Sequence, residues 1–319
     1  MSEIQKDLSV VIPLFNEEES LPELFEWISR VVLHHQLDTE VIFIDDGSTD
    51  NSWQVIQGLE QKGITIKAVQ FQRNYGKSAA MHTGFEAATG KVVITMDADM
   101  QDSPDEIKGL YDMVMVDGFD VVSGWKKKRH DPISKTIPTK LYNWAARRIT
   151  GIHLHDFNCG LKAYKLTVVK SIELYGDMHR YVPALAKYAG FHKIGEKVVQ
   201  HQARKFGVTK FGLNRFLNGP LDLMTVAFMG KFGKKPMHFF GALGMLMFFI
   251  GFLLAVYLGI DKLFIHEGGR LIAERTEFYL ALVSMILGVQ FFMTGFVAEI
   301  IGRNSSNRNN YLILQKIGL

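Results

Sequence analysis

Leu8-Ser9-Val10-Val11-Ile12 runs into Pro13-Leu14-Phe15-Asn16-Glu17-Glu18-Glu19, and Ser20-Leu21-Pro22 follows. The first five residues read as a continuous apolar run, the pattern of a strand covered on both faces in a parallel sheet. Ser20 and Pro22 are helix-start residues, and Leu21, Leu24, Phe25, Ile28 and Val32 then fall on one stripe. The same alternation continues outward from this unit. Val41-Ile42-Phe43-Ile44 predicts a second strand, and Trp53, Ile56 and Leu59 the helix after it. Ile64, Ile66 and Ala68 predict a third strand, Ser78 to Ala88 a helix ended by Thr89-Gly90, and Val92 to Met96 a fourth strand. Ser103-Pro104 opens a helix carrying Ile107, Leu110, Tyr111 and Val114, and Val121-Val122 is a fifth strand. Strand and helix in this order imply an open, mostly parallel α/β sheet flanked by helices.

Composition narrows the class. The chain has 319 residues, 47% apolar and 22% charged, enough for a large core and wrong for disorder. Its 36 basic and 33 acidic residues leave a net charge of +3, too weak an excess to argue for nucleic acid. A single cysteine, Cys159, excludes an internal disulfide framework. Met1 to Asp7 is polar and does not read as the apolar core of a secretory signal.

Two segments break the pattern of a soluble enzyme. Phe239 to Ile260 and Phe278 to Ala298 are 22 and 21 residues long, and neither contains a charge. At about 1.5 Å per residue, each spans roughly the 30 Å of a hydrocarbon core. Core helices of this length rarely lack a charge on every face. Gly241, Gly244 and Gly251 would let the first segment approach a neighbouring helix closely. Lys231, Lys234 and Lys235 precede the first span, and Arg303, Arg308 and Lys316 follow the second. The positive-inside rule then places both long ends in the cytosol and the Asp261–Glu277 loop outside, a multi-pass protein of the cytoplasmic membrane. The expected organisation is a catalytic domain at 1–210, an amphipathic juxtamembrane segment at 211–236, two transmembrane helices within 237–302, and a cytosolic tail at 303–319. Self-association is left open.

Ligands of open parallel sheets bind beyond the carboxyl ends of the strands. Three acidic clusters fall there: Glu17-Glu18-Glu19, Asp45-Asp46 with Asp50, and Asp97-Ala98-Asp99 with Asp102. Carboxylates gathered in one place repel, and a divalent cation or a hydrogen-bonding sugar would relieve them. Asp-x-Asp at a strand end offers hard oxygen ligands suited to Mg²⁺ or Mn²⁺ on a diphosphate. Asp50 and Asp105 also suit helix caps.

With these motifs in view, the chain resembles the family 2 glycosyltransferases of GT-A fold, and among them the polyprenyl-phosphate sugar synthases. The matching stretches are Val11 to Glu18, Asp45 to Asp50, Arg73-Asn74-Tyr75-Gly76-Lys77, Asp97 to Pro104, Asn158-Cys159-Gly160-Leu161-Lys162 and Arg204 to Phe211. The resemblance implies a transferase that moves a hexose from a nucleotide-sugar donor of the GDP-mannose or UDP-glucose type to a polyprenyl monophosphate, with inversion. It implies that Pro13, Phe15 and Glu17 line the nucleoside pocket, with Ile44, Asp45 and Asp46 beside the base. Asp97 and Asp99 would serve the sugar nucleotide and its metal, Gln101 completing the shell. Arg204 and Lys210 would grip phosphates, and Lys126 and Lys135 stand where the family often has Arg, which keeps the charge and loses the bidentate fork. Phe15 stands in place of a common Tyr.

A polyprenyl monophosphate has a second pKa of about 6, so it is largely ionised at neutral pH and needs no strong general base. Lys126-Lys127-Lys128-Arg129-His130 reads either as a solvated loop or as cations for the acceptor and anionic headgroups. Asp156 either orients a substrate or forms a turn. His153 and His155 read as loop residues and Cys159 as a packed thiol. Phe211 to Phe232, rich in Phe and Leu before a Lys cluster, reads as a segment lying at the bilayer interface. A processive polysaccharide synthase or an inactive scaffold would share the domain. The two spans and the missing Arg-Trp pair speak against the first, and the intact Asp97 and Asp99 against the second.

Overall fold

The computed structural model describes residues 5–127, 143–202, 205, 224–225, 228, 232, 236–265, 271–304 and 313–318. The chain forms two compact units, Met1–Ala227 with Arg308–Leu319, and Phe228–Asn307.

The first unit is built on an eight-stranded sheet. Its strands are β1 (Leu8–Leu14), β2 (Thr39–Asp45), β3 (Thr65–Phe71), β4 (Val92–Thr95), β5 (Val121–Trp125), β6 (Lys162–Lys165), β7 (Ile194–Val198) and β8 (Ile313–Ile317). The order is β7-β5-β6-β4-β1-β2-β3-β8. The centre, β4-β1-β2-β3, is parallel, as is β5 with β7. β6 runs antiparallel between β4 and β5, and β8 runs antiparallel on β3.

The helices of this unit are α1 (Leu21–His34), α2 (Ser52–Gln57), α3 (Lys77–Ala87), α4 (Ile107–Met115), α5 (143–150), α6 (Leu166–Lys170) and α7 (Val182–Tyr188). They cover both faces, which is why β1 and β2 are apolar on both alternations. Leu8, Val10, Ile12, Val41 and Phe43 pack in one core with Leu24, Phe25, Trp53 and Leu110. Val11, Ile42 and Ile44 turn to the other face, against Ala79, Ala80 and Phe85 of α3 and Val168 and Val182 beyond. At about 25 cal/mol per Å² of apolar surface removed from water, these two layers dominate the stabilisation of the unit.

The expected alternation of strand and helix is present, with local differences. Helix α2 stops at Gln57 because the chain turns at Gly58, so Leu59 packs on the core from outside the helix. Asp105 is not a cap; the Ser103 hydroxyl accepts from Asp105 N at 3.3 Å and opens a 3₁₀ turn before α4. The segment read as a tail supplies β8: Trp53 Nε1 donates to Gln315 Oε1 at 2.5 Å, and Ile317 packs beside the core. Most of 211–236 lies outside the described residues.

The second unit is a pair of antiparallel helices, α8 (Pro236–Ile260, continued by a π turn over Asp261–Ile265) and α9 (Thr276–Asn304). Both are long and apolar enough to cross a membrane. They differ from core helices in what they expose: Leu253 is 65% accessible and Phe249 56%. The seam is made of small residues, as expected from Gly244 and Gly251. A Cβ on Gly244 would lie 2.5 Å from Gly288 O, and one on Gly288 would lie 2.6 Å from Gly244 O, so the backbones touch there. Ser284 Oγ donates to Met247 O at 2.8 Å, and Arg275 pairs with Asp261 at 2.6 Å where the helices are joined.

Candidate active site

The parallel register brings the acidic motifs to one edge. Leu14 pairs with Asp45 and Val11 with Thr95, so the loops after β1, β2 and β4 leave the sheet side by side. The first two loops are stitched together through side chains and backbone. Asn16 N donates to Ser48 Oγ at 2.8 Å, Thr49 N to Asn16 Oδ1 at 2.8 Å, and Glu17 N to Ser52 Oγ at 2.9 Å.

Within the protein, donors already offset part of the mutual repulsion among these acids. Asp45 accepts from Ser48 N at 2.9 Å and Gln70 Nε2 at 2.9 Å. Asp46 accepts from Tyr75 N at 2.7 Å and Gly76 N at 2.9 Å, which fixes the Arg73–Lys77 loop against the end of β2. Burial raises the Asp46 carboxyl to about 6 against those two donors, with Asp45 adding to the rise. Burial also acts on Asp50, but hydrogen bonds from Ser52 and the Glu18 N–H outweigh it and hold that carboxyl below its ordinary value. Pro13, Phe15 and Glu17 are half-buried at the rim. Ile44 is fully buried in the core against α3 and so lies beneath this surface rather than on it.

The third cluster is matched by lysines. Lys77, the first residue of α3, forms an ion pair with Asp97 Oδ1. Burial alone would raise Asp97; the Lys77 ammonium, with Lys126 behind it, outweighs it and holds the carboxyl at about 2. Asp97 also needs an open neighbour. A Cβ at Gly160 would lie 2.5 Å from Asp97 Oδ2, so the Asn158–Lys162 motif must carry glycine for the carboxylate to sit there. Thr95 Oγ1 donates to Gly160 O at 2.9 Å and holds the two segments together. Asp99 is buried, and its Oδ1 accepts from Gln101 N at 3.2 Å. Asp102, fully buried, pairs with Lys126 at 2.7 Å. Its carboxyl is pushed up by burial against the pull of Lys126, while Asp102 raises Lys126 in spite of that side chain's own burial. Gln202 N donates to Gln101 O at 2.9 Å, so the chain two residues before Arg204 runs along the Asp99–Asp102 loop.

Asp156 is buried, and its Oδ1 accepts from Asn158 N at 3.0 Å, which closes a turn. His155 pairs through Nδ1 with Glu196 and stacks on Trp125 with ring centroids 4.1 Å apart. Among the described residues no group of three His, Cys, Asp or Glu side chains is placed to hold a metal by itself. Burial, with Asp102 adding to it, pushes the Cys159 thiol up to about 12, as fits a packed thiol. Lys135, Arg204, Lys210 and Lys128 to His130 lie outside the described residues.

Three contributors were not assigned from sequence. Lys77 had a faint signal, a cation after Gly76 at a helix start. Lys162 is buried and donates to Cys159 O. His179 bonds to Ser78, 101 residues away in the chain, and no local pattern reports that.

A model of the family described as "Glycosyl transferase family 2" matches residues 9–172. The chain belongs to that family and is a glycosyltransferase. It is 36% identical to the dodecaprenyl-phosphate galacturonate synthase of Rhizobium johnstonii, over 97% of this chain and 92% of that protein. It is 35% identical to an undecaprenyl-phosphate 4-deoxy-4-formamido-L-arabinose transferase of Pseudomonas aeruginosa, over 94% of this chain and 86% of that protein. Among solved structures, glucosyl-3-phosphoglycerate synthase of Mycobacterium tuberculosis superposes with a TM-score of 0.54 at 18% identity, covering 70% of this chain and 80% of that one. At that identity the likeness shows the shared fold alone, the GT-A sheet. The same enzyme was also solved with Mn²⁺, UDP-glucose and phosphoglyceric acid (TM-score 0.52).

Proposed function

We propose that this protein transfers a sugar from a nucleotide-sugar donor to a polyprenyl monophosphate, giving a polyprenyl-phosphate sugar with inversion at the anomeric carbon. One observation carries the reading: similarity to proteins named as polyprenyl-phosphate sugar transferases runs through nearly the whole chain, apolar helices included. The two relatives named above differ in their sugar, so the reading stops at the class of donor.

The donor's nucleoside would lie over Pro13, Phe15 and Glu17, on the loops that Asp45 and Asp46 brace. Asp97, Asp99 and Gln101 fit a divalent cation, Mg²⁺ or Mn²⁺. They are hard oxygen donors on one short loop, fewer than a complete shell, which suits an ion that also takes donor phosphate oxygens. When bound, such an ion offsets the charge that develops on a departing diphosphate. Lys77 keeps Asp97 ionised, and Lys126 neutralises Asp102 behind it. The acceptor phosphate arrives ionised and attacks the face opposite the leaving group, with Lys135, Arg204 and Lys210 as its cations.

The decisive measurement uses the full chain in nanodiscs with undecaprenyl phosphate and a panel of nucleotide sugars. A lipid product whose mass equals acceptor plus one sugar is expected, and an α-linked donor should give a β-linked product by NMR. No product with any donor refutes the transfer reading, and an α-linked product refutes inversion.

For topology, the positive-inside rule, applied to the cations flanking the two apolar helices, supports a cytosolic catalytic domain with residues 261–277 outside. A cysteine at Glu267 in a Cys159→Ser background should label from outside intact cells, and one at Ser48 should not. The reverse pattern overturns this orientation.

A further inference from the structure

The first turn of α3 holds two residues on which the site turns. Lys77 pairs with Asp97, and Ser78, next to it, is buried and bonded twice to His179. His179 N donates to Ser78 Oγ at 3.0 Å, and Ser78 Oγ lies 3.0 Å from His179 Nδ1. These two contacts determine where the ring proton sits. The hydroxyl already accepts from the backbone N–H, and its own hydrogen needs an acceptor. Among the described residues the acceptor in reach is Nδ1. A proton on Nδ1 would leave a buried hydroxyl hydrogen without a partner, which is costly. Nδ1 is therefore the acceptor, and the neutral ring carries its hydrogen on Nε2.

Nε2 has no protein partner among the described residues, yet it is not one of the buried polar atoms sealed away without one. It is a donor open to a ligand. Its surroundings define the ligand's chemistry. Burial, then the cations Lys77, Arg180 and Lys162, hold the ring well below its ordinary protonation range, and Asp97 pulls the other way. Three cations bear on the ring, and Asp97, the carboxylate that acts against them, is already paired with Lys77. The first N–H groups of the eleven-residue α3 add to the positive potential. That combination suits an oxyanion, and a neutral donor grips one without placing a fourth positive charge beside three others.

We propose that His179, held in its Nε2–H form by Ser78, donates a hydrogen bond to a phosphate oxygen of the substrates that meet at Asp97, with Ser78 as its positioning residue. The assignment rests on the transfer reading above, and the phosphate could belong to the donor diphosphate or to the lipid acceptor.

The test uses the full chain in detergent. Histidine ¹⁵N spectra, with the resonance assigned by its loss in His179→Gln, should show a neutral ring with bare Nδ1 and protonated Nε2. A proton on Nδ1 overturns the proposal. Calorimetric titrations with inorganic pyrophosphate and with farnesyl phosphate, both with Mg²⁺, separate the two sources. His179→Phe should weaken one of them about tenfold. Loss for pyrophosphate assigns the contact to the donor side, and loss for farnesyl phosphate to the acceptor side. His179→Gln, which keeps an N–H near the same place, should stay within about threefold of wild type. Unchanged binding of both probes by His179→Phe overturns the proposal, as does a wild type that binds neither. Should His179→Phe not fold, Ser78→Ala takes its place: it should weaken the same probe about threefold and mix the two ring forms, and unchanged binding overturns the proposal. Wild type that binds the probes but forms no lipid product with any nucleotide sugar refutes the transfer reading and leaves this anion contact standing.

Discussion

Asp99→Asn is expected to lower turnover by at least about two orders of magnitude, roughly 3 kcal/mol of transition-state stabilisation, without lowering the melting temperature. The amide keeps an oxygen that can accept from Gln101 N, so the loop after β4 retains its path. What disappears is an anionic oxygen, for which an amide is a poor substitute toward a hard divalent cation. Stability moves in the other direction. Asp99 is one of the charges that push the Asp102 carboxyl up, so removing it relieves repulsion around a fully buried acid. A variant that melts no lower than wild type but turns over a hundredfold more slowly separates a chemical role from a structural one. EDTA should inactivate wild type to a similar degree, and Mg²⁺ or Mn²⁺ should restore it. Wild-type activity that persists unchanged in EDTA removes the metal from the mechanism, and an Asp99→Asn variant that turns over normally removes Asp99.

The central sheet was legible because burial on both faces writes itself into the sequence: β1, β2 and β4 hold apolar side chains on both alternations, and each is followed by acids. The sheet's outer parts were not. β6 begins and ends with lysine, β7 reads Ile-Gly-Glu-Lys-Val, and β8 reads Ile-Leu-Gln-Lys-Ile. None has the length or the apolar content that separates a strand from a loop, and β8 exists because a distant edge, β3, offers it unpaired backbone. At the site, residue types were readable and their partners were not. Asp45 and Asp46 looked like a repelling pair, but the donors that satisfy them are largely backbone N–H groups at Ser48, Tyr75 and Gly76, which a sequence does not display as a pattern. Asp97 was legible as a carboxylate at a strand end. Its ionisation depends on Lys77, and its room depends on the missing Cβ at Gly160, 63 positions on.

That dependence gives the second large effect. Lys77→Met keeps the aliphatic stem at the start of α3 and removes the ammonium. Asp97 then keeps its burial, which by itself raises the carboxyl, and loses the largest influence opposing it. Lys126 remains, shared with Asp102. The carboxyl should rise from about 2 into the range where assays are run. Turnover in Lys77→Met should fall by about a hundredfold near pH 6 and recover partly as pH rises, because deprotonation restores the anion; wild type should show no such limb from Asp97. The stability sign follows from the same shift. A carboxyl depressed in the folded state adds stability above its unfolded value, near 4, and loses it as pH falls toward 2. Lys77→Met forfeits that contribution at neutral pH and leaves a half-buried charge without its partner. Lys77→Met/Asp97→Asn removes both charges, so it should melt higher than Lys77→Met alone, with a coupling of about 1–3 kcal/mol. Strictly additive losses of stability, together with a Lys77→Met pH–rate profile parallel to wild type, would show that Lys77 does not govern the charge on Asp97.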